Sequence, residues 1–156
     1  MAMELEPRLA ARAGTDQLKD GFNRVIDYLR VSVTDRCDMR CSYCMPKAFK
    51  GFQEPANWLS HQETGRLVNL FVGLGISKVR LTGGEPLLRR NLPDLVRNLS
   101  SLPGLTDLSL STNGAHLVAH AAALKSAGLH RLNVSLDTLK PAKFHEITHR
   151  DCLEDV

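Results

Sequence analysis

The feature that most restricts the fold of this chain is a strand-then-helix rhythm whose strands are apolar on one face and polar on the other. From Tyr28, Leu29, Val31 and Val33 alternate with Arg30, Ser32 and Thr34, a strand pattern. Ser60-x-x-Glu63 then reads as a capping box. Leu67, Val68, Phe71 and Leu74 follow at helical spacing, with Gly75 where a helix stops. Lys78 to Thr82 alternates again. Asn91 stands at the cap of a stripe formed by Leu92, Leu95, Val96 and Leu99, with Pro93 tolerated in the first turn. After a Pro103-Gly104 turn, Leu108 and Leu110 alternate with Ser109 and Ser111. Leu117, Val118, Ala121 and Leu124 predict the next helix, closed by Gly128. Leu132, Val134 and Leu136 alternate with Arg131, Asn133 and Ser135, and Pro141 opens a last helix through Phe144 and Ile147.

Four successive strand–helix units predict an α/β chain with a parallel sheet and right-handed crossovers. Parallel strands covered on both faces read as continuous Val/Ile/Leu, and these do not. Helices on the apolar face leave the polar face looking into something wet or ligand-filled, as the lumen of an open or half-closed barrel is. The competing arrangement, strands with one solvated side at a sheet edge, is hard to build from successive units of this kind. Four units do not close a barrel. The expectation is therefore a partial TIM-type (βα) barrel that stops before closure, the amino-terminal part of a longer protein. Residues 1–24, polar and Ala/Arg-rich, read as a flexible leader, and 25–156 as the barrel part.

Composition removes several function classes. Twenty Lys and Arg against seventeen Asp and Glu leave a net charge of +3, too mild for a nucleic-acid surface. With five Phe, two Tyr and one Trp, a base-stacking platform is not expected. No apolar run approaches the roughly 18 residues of a membrane span. The first residues lack the apolar core of a signal peptide, and Glu4, Glu6, Asp16 and Asp20 speak against a transit peptide. A reducing cytoplasm is the expected compartment.

Four cysteines stand at 37, 41, 44 and 152. In such a compartment clustered cysteines point to metal or redox chemistry rather than to disulfides. Cys37-x-x-x-Cys41-x-x-Cys44 falls in the loop after the first strand, where βα barrels keep their chemistry. Three thiolates are one short of a closed tetrahedral zinc site or a fully ligated four-iron cluster. His61 and Cys152 are the candidate fourth ligands for a structural zinc. The alternative is an iron–sulfur cube with one iron left open for a substrate or cofactor.

Cys37-x-x-x-Cys41-x-x-Cys44, one helix, and then Leu81-Thr-Gly-Gly-Glu-Pro86 resembles the radical S-adenosylmethionine (SAM) superfamily. Further blocks narrow the likeness: Tyr28-Leu-Arg-Val-Ser-Val-Thr-Asp35, Cys-x-Tyr-Cys-Met-Pro46, Lys78 through Arg90, Leu110-Ser-Thr-Asn-Gly114 and Arg131 through Leu139. Together they are similar to the molybdenum cofactor biosynthesis protein A family, the GTP 3′,8-cyclases, from about Asp27 to Arg150. The resemblance implies a [4Fe–4S] cluster on Cys37, Cys41 and Cys44. It implies SAM contacts from Tyr43, Gly84 and Ser135, with Glu85 supporting the SAM amino group, and GTP contacts from Arg30, Arg80 and Thr112. Glycines let backbone approach a ligand closely, and a carboxylate suits an ammonium. Guanidinium groups on a polar strand face suit triphosphate oxygens. No GxxxxGK[ST] occurs, so a P-loop is not the nucleotide holder.

The implied reaction is one-electron cleavage of SAM to methionine and a 5′-deoxyadenosyl radical, which removes hydrogen from C3′ of GTP. The C3′ radical then attacks C8 of guanine, giving (8S)-3′,8-cyclo-7,8-dihydroguanosine 5′-triphosphate, the first step of molybdenum cofactor biosynthesis. An electron donor such as flavodoxin or ferredoxin is implied, a homodimer is the assembly to test, and no nucleic-acid or membrane partner is expected. The family's second cluster and further GTP-binding residues have no counterpart in these 156 residues, so the isolated chain is expected to lack cyclase activity. Two other readings remain: a radical SAM enzyme acting on a peptide, and a non-catalytic zinc module. His116 and His120, four apart, read as a solvated helix face rather than a metal pair. Arg89-Arg90 read as exposed helix-start arginines, Trp58 as a packing neighbour of the capping box, and Cys152 as an incidental helix cysteine.

Overall fold

Each predicted strand and helix is present in the computed structural model, which describes residues 17–45, 49, 51, 52 and 58–156. Residues 1–16 of the expected leader and Pro46 of the Cys-x-Tyr-Cys-Met-Pro block lie outside the described residues. The strands are β1 (Tyr28–Ser32), β2 (Lys78–Thr82), β3 (Asp107–Thr112) and β4 (Arg131–Val134). The helices are α1 (His61–Gly73), α2 (Leu92–Ser100), α3 (Leu117–Ser126) and α4 (Pro141–Thr148), with 3-10 turns at Pro86–Leu88 and Leu153–Asp155. The strands are all parallel and neighbours follow chain order, β1-β2-β3-β4, in one open sheet. That order is the expected one for a partial barrel.

Two-residue periodicity divides the sheet into a dry face and a polar face. Val79, Leu81, Leu108 and Leu110 are fully buried with the α2 stripe Leu92, Leu95, Val96 and Leu99, and α1 adds Val68. On the opposite face the register sets Arg30 beside Arg80, Arg80 beside Ser109 and Ser109 beside Arg131, a row of three guanidinium groups and a hydroxyl across all four strands. α1 starts at the expected capping box: Ser60 Oγ accepts from the Glu63 amide at 3.2 Å, and the Ser60 amide donates to Glu63 Oε2 at 2.8 Å.

Several expectations need correction. Val118 is 91% exposed and Ala121 is also outward; the stripe of α3 that meets the core runs through Leu117, Leu124 and Ala127, one position out of phase with Val118. Asn91 occupies the cap position of α2 in a left-handed conformation (φ 55°) and makes no side-chain cap bond. The apolar face of β4 is incompletely covered, Leu132, Val134 and Leu136 being 38–44% exposed, because β4 lies at the end of the sheet. Residues 17–24 are tied to the sheet domain. Lys19 bridges Val25, the Leu18 amide donates to Leu74 O, and Leu18 packs on the core.

Between β1 and α1 lies a groove of about 550 Å³ lined by Leu29, Val31, Trp58, Leu67 and Phe71, among others. Arg89 closes one side of it. Its guanidinium lies 5.4 Å over the Trp58 ring and donates to Leu59 O at 3.0 Å, so this arginine is engaged by protein rather than held out for a phosphate. No helix among the described residues is long and apolar enough to cross a membrane.

Three outcomes test this packing. Leu110→Ala should destabilise by about 2–5 kcal/mol in urea unfolding, whereas Val118→Ala should fall within about 0.5 kcal/mol. His61, at the start of α1, has its pKa lowered from 6.5, first by burial and then by the Arg89 charge. The unfolded chain therefore binds the proton more readily. Stability is full above pH 6.5 and declines as pH falls through the lowered folded value, and His61→Gln should flatten that slope.

Candidate functional site

The ladder between β1 and β2 does not end with the strands. The Val33 amide donates to Thr82 O, the Gly84 amide to Thr34 O at 2.8 Å, and the Glu85 amide to Arg36 O at 2.6 Å. This approach explains both glycines. At Gly83, where φ is +147°, an added Cβ would stand 2.1 Å from Thr34 O, and at Gly84 one would stand 2.2 Å from Arg36 O. The expectation had the glycines admitting a ligand. Their missing side chains admit the backbone of residues 34–36, which leads directly into Cys37, while Gly84 keeps an exposed side.

The cysteine loop is anchored from several directions. Amides of Arg40 and Ser42 donate to Thr148 O and Ile147 O at the end of α4, each at 2.9 Å. Arg40 Nη1 donates to the carbonyls of Cys37 (2.6 Å) and Met39 (2.9 Å), and Arg150 Nε to Asp38 O at 2.6 Å. Met39 is buried beneath the loop. All three thiols are free, Cys37 and Cys41 half-buried and Cys44 exposed. Burial raises the pKa of the Cys37 and Cys41 thiols, and nearby carboxylates and thiols add to it. Tyr43, 71% exposed, donates its hydroxyl to Asp137 Oδ2 at 2.9 Å; that bond, with some burial, raises its pKa. Ser135 is exposed at the end of β4, two residues before Asp137, and its amide donates to Thr112 O.

Glu85 and Thr112 occupy unexpected surroundings. Glu85 is only 1% exposed: its Oε1 accepts from Thr112 Oγ1 (2.8 Å) and the Leu87 amide (3.0 Å), and its Oε2 accepts from the Asn113 amide (2.7 Å). Its carboxyl group braces the ends of β2 and β3. Thr112 alternates with Ser111 onto the dry face with Leu108 and Leu110, so its side chain points away from the arginine row. Arg30 is exposed. Arg80 lies 5.6 Å over the Tyr28 ring, with Nε 3.5 Å from Ser109 Oγ.

The sequence reading missed the residues that join these loops. Asn113 Nδ2 donates to Asp38 Oδ1 at 2.8 Å, and His116 Nε2 lies 3.2 Å from Asp38 Oδ2. His116 occupies the N-cap position of α3 without a side-chain cap bond and is exposed as expected, but it precedes the helix and turns toward Asp38. Cys152, half-buried, precedes the 3-10 turn at Leu153–Asp155 rather than lying inside a helix. Asp38 lies between two cysteines and Asn113 inside Ser-Thr-Asn-Gly, so their places within marked blocks were the available signal.

The donor set is three free thiols in one loop, two of them half-buried, which is the soft-ligand chemistry an iron–sulfur cluster takes from a protein. Beside the thiols, the exposed side of Gly84, Tyr43 and Ser135 line the same carboxyl edge of the sheet.

A family model described as the Radical SAM superfamily matches residues 31–156. The chain is similar to the GTP 3′,8-cyclase of Hydrogenovibrio crunogenus, 51% identical over 89% of this chain and 42% of that protein. It is likewise similar to those of Limosilactobacillus fermentum (50%, covering 85% and 40%) and Moorella thermoacetica (48%, covering 89% and 43%). The chain thus spans roughly two fifths of the length of these relatives. Its fold is similar to that of Streptococcus suis SuiB bound to S-adenosylmethionine, with TM-score 0.62, 18% identity, 81% of this chain and 27% of that one. It is also similar to BtrN in complex with AdoMet and 2-DOIA, with TM-score 0.54, 20% identity, 79% and 52%.

Glu85→Ala would leave the Thr112 hydroxyl and the amides of Leu87 and Asn113 without their acceptor, at a cost of about 3 kcal/mol or more in chemical unfolding. Gly83→Ala should shift the paired backbones of residues 33–36 and 82–85, seen as faster amide exchange there, with little effect on amides of α2 and β3.

Proposed function

Because the chain belongs to the radical SAM superfamily, we propose that it forms the cluster- and SAM-binding part of a GTP 3′,8-cyclase, with residues 25–156 as the first portion of the barrel. The observation that carries this reading is the junction of the free-thiol loop with the Gly83-Gly84 turn at the carboxyl edge of a parallel sheet. A [4Fe–4S] cluster and SAM are the cofactors of this superfamily. When bound, they supply one-electron cleavage of SAM and removal of a hydrogen atom from the substrate.

In this proposal Cys37, Cys41 and Cys44 hold the cluster. Gly84 offers its exposed backbone to SAM, with Tyr43 and Ser135 beside it. Glu85 supports the SAM amino group indirectly, by fixing the turn that presents the Gly84 backbone, since its own carboxyl oxygens are occupied. Arg30 and Arg80, adjacent in register on the polar face, bind the GTP triphosphate or guanine acceptors. Thr112 acts on that nucleotide by positioning β3 rather than by side-chain contact, given its place on the dry face. The protein's contribution is orientation and exclusion of stray hydrogen donors. A flavodoxin- or ferredoxin-like electron donor and a lyase activity of the whole enzyme belong to the same proposal. Arg30 and Arg80 favour a polyanionic nucleotide over a peptide substrate, while Arg131, the third in the row, is ion-paired with Asp107.

Anaerobic reconstitution tests the cofactor part. About four irons per chain and a paramagnetic signal that changes on adding SAM are expected, both lost in Cys37→Ser; one tightly held zinc would overturn it. For the substrate part, Arg30→Ala and Arg80→Ala should each weaken GTP binding about 10- to 100-fold, in line with about 1.5–3 kcal/mol for a charged hydrogen bond.

A further inference from the structure

The cysteine loop and the Gly83–Glu85 turn must keep a fixed separation if a cluster on one is to meet a ligand on the other. Their backbones meet at residues 34–36, but beyond Arg36 the loop leaves the ladder, and Cys37 is the first residue past it. One side chain bridges the gap from a third strand. Asn113, just after β3, gives its backbone amide to Glu85 Oε2 (2.7 Å) and its side-chain amide to Asp38 Oδ1 (2.8 Å). Its own Oδ1 accepts from the Ala115 amide at 3.1 Å, which fixes the orientation of the side chain. Asp38 is held on its other oxygen by His116 at 3.2 Å and through its carbonyl by Arg150 at 2.6 Å.

We propose that Asn113 is a positioning residue that sets the separation between the cysteine loop and the glycine turn, through its simultaneous bonds to Asp38 and Glu85. The inference rests on the cofactor reading above and deepens it. An asparagine is the side chain that fits. It must donate toward a carboxyl group at Asp38 and accept from an amide at Ala115 with the same planar group. Aspartate at this position has the same shape, lacks the donor, and would set a third carboxyl group between Asp38 and Glu85. Residues that orient ligand-bearing segments without touching the bound group typically change affinity about 10- to 100-fold when replaced.

The test compares the unaltered chain with Asn113→Asp, Asn113→Ala and Asp38→Asn. Asp38→Asn keeps an oxygen to accept from Asn113. Hydrogen exchange of amides 37–44 is measured without cofactor, and iron content and SAM affinity, from the SAM-induced change in the paramagnetic spectrum, after anaerobic loading. Asn113→Asp should keep the unfolding midpoint within a few degrees and most of its iron, yet exchange faster over residues 37–44 and bind SAM at least tenfold more weakly. Asp38→Asn should stay within about threefold of the unaltered chain. Wild-type exchange and wild-type SAM affinity in Asn113→Asp would overturn the inference. Should Asn113→Asp fail to fold, Asn113→Ala, which removes the tie without adding charge, decides it on the same two readouts. If the unaltered chain takes up no four-iron cluster, the cofactor reading falls. The tie is then decided by exchange alone: faster exchange in the Asn113 variants supports it, and unchanged exchange overturns it.

Discussion

A carboxyl group cut off from water organises the carboxyl edge of this sheet. Glu85 accepts from a hydroxyl and two backbone amides contributed by two different strand ends, and a buried acceptor so placed is costly to leave unmatched. Its position determines where Gly84 presents its exposed side, where β3 hands over to Asn113, and through Asn113 where Asp38 carries the cysteine loop. The dry core beneath is ordinary: leucines and valines of β2 and β3 against one stripe of α2. It supplies rigidity, and the carboxyl group converts that rigidity into a defined placement of loops.

The two glycines show that one missing side chain can serve a backbone neighbour on one side and leave the other side open. Missing side chains at 83 and 84 do permit close approach, but the approaching group is the carbonyl backbone of residues 34–36. This extends the β1–β2 pairing into the loops and brings the turn against the segment that precedes Cys37. The polar strand face shows a complementary effect. Because strands β1 to β4 stay in register, arginines far apart in sequence come to lie in one row, while Ser109 between them is buried and bonded to Val79 O.

The strands and helices were legible because two-residue and three-to-four-residue periodicities are local, and so was the capping box at Ser60 and Glu63. Readings failed where phase or partner mattered. In α3, Val118 and Leu117 are both apolar and adjacent, and only packing decides which one faces the core. Asn91 stands at the helix start, but its side chain makes no cap bond, and its carbonyl accepts from the Asp94 amide. His116 and His120 matched a helical spacing that the chain does not use, since His116 precedes α3 and turns toward Asp38.

The sequence by itself determined the order of elements, the polar and apolar faces of each strand, and the three thiols grouped in one loop, since all of these follow from spacing along the chain. Tertiary structure alone decided that Glu85 and Thr112 meet each other and that Asn113 spans from β3 to the cysteine loop. The physical reason is range: hydrogen bonds between residues 28 or 75 positions apart depend on strand register and crossover path, which no local pattern of side chains encodes.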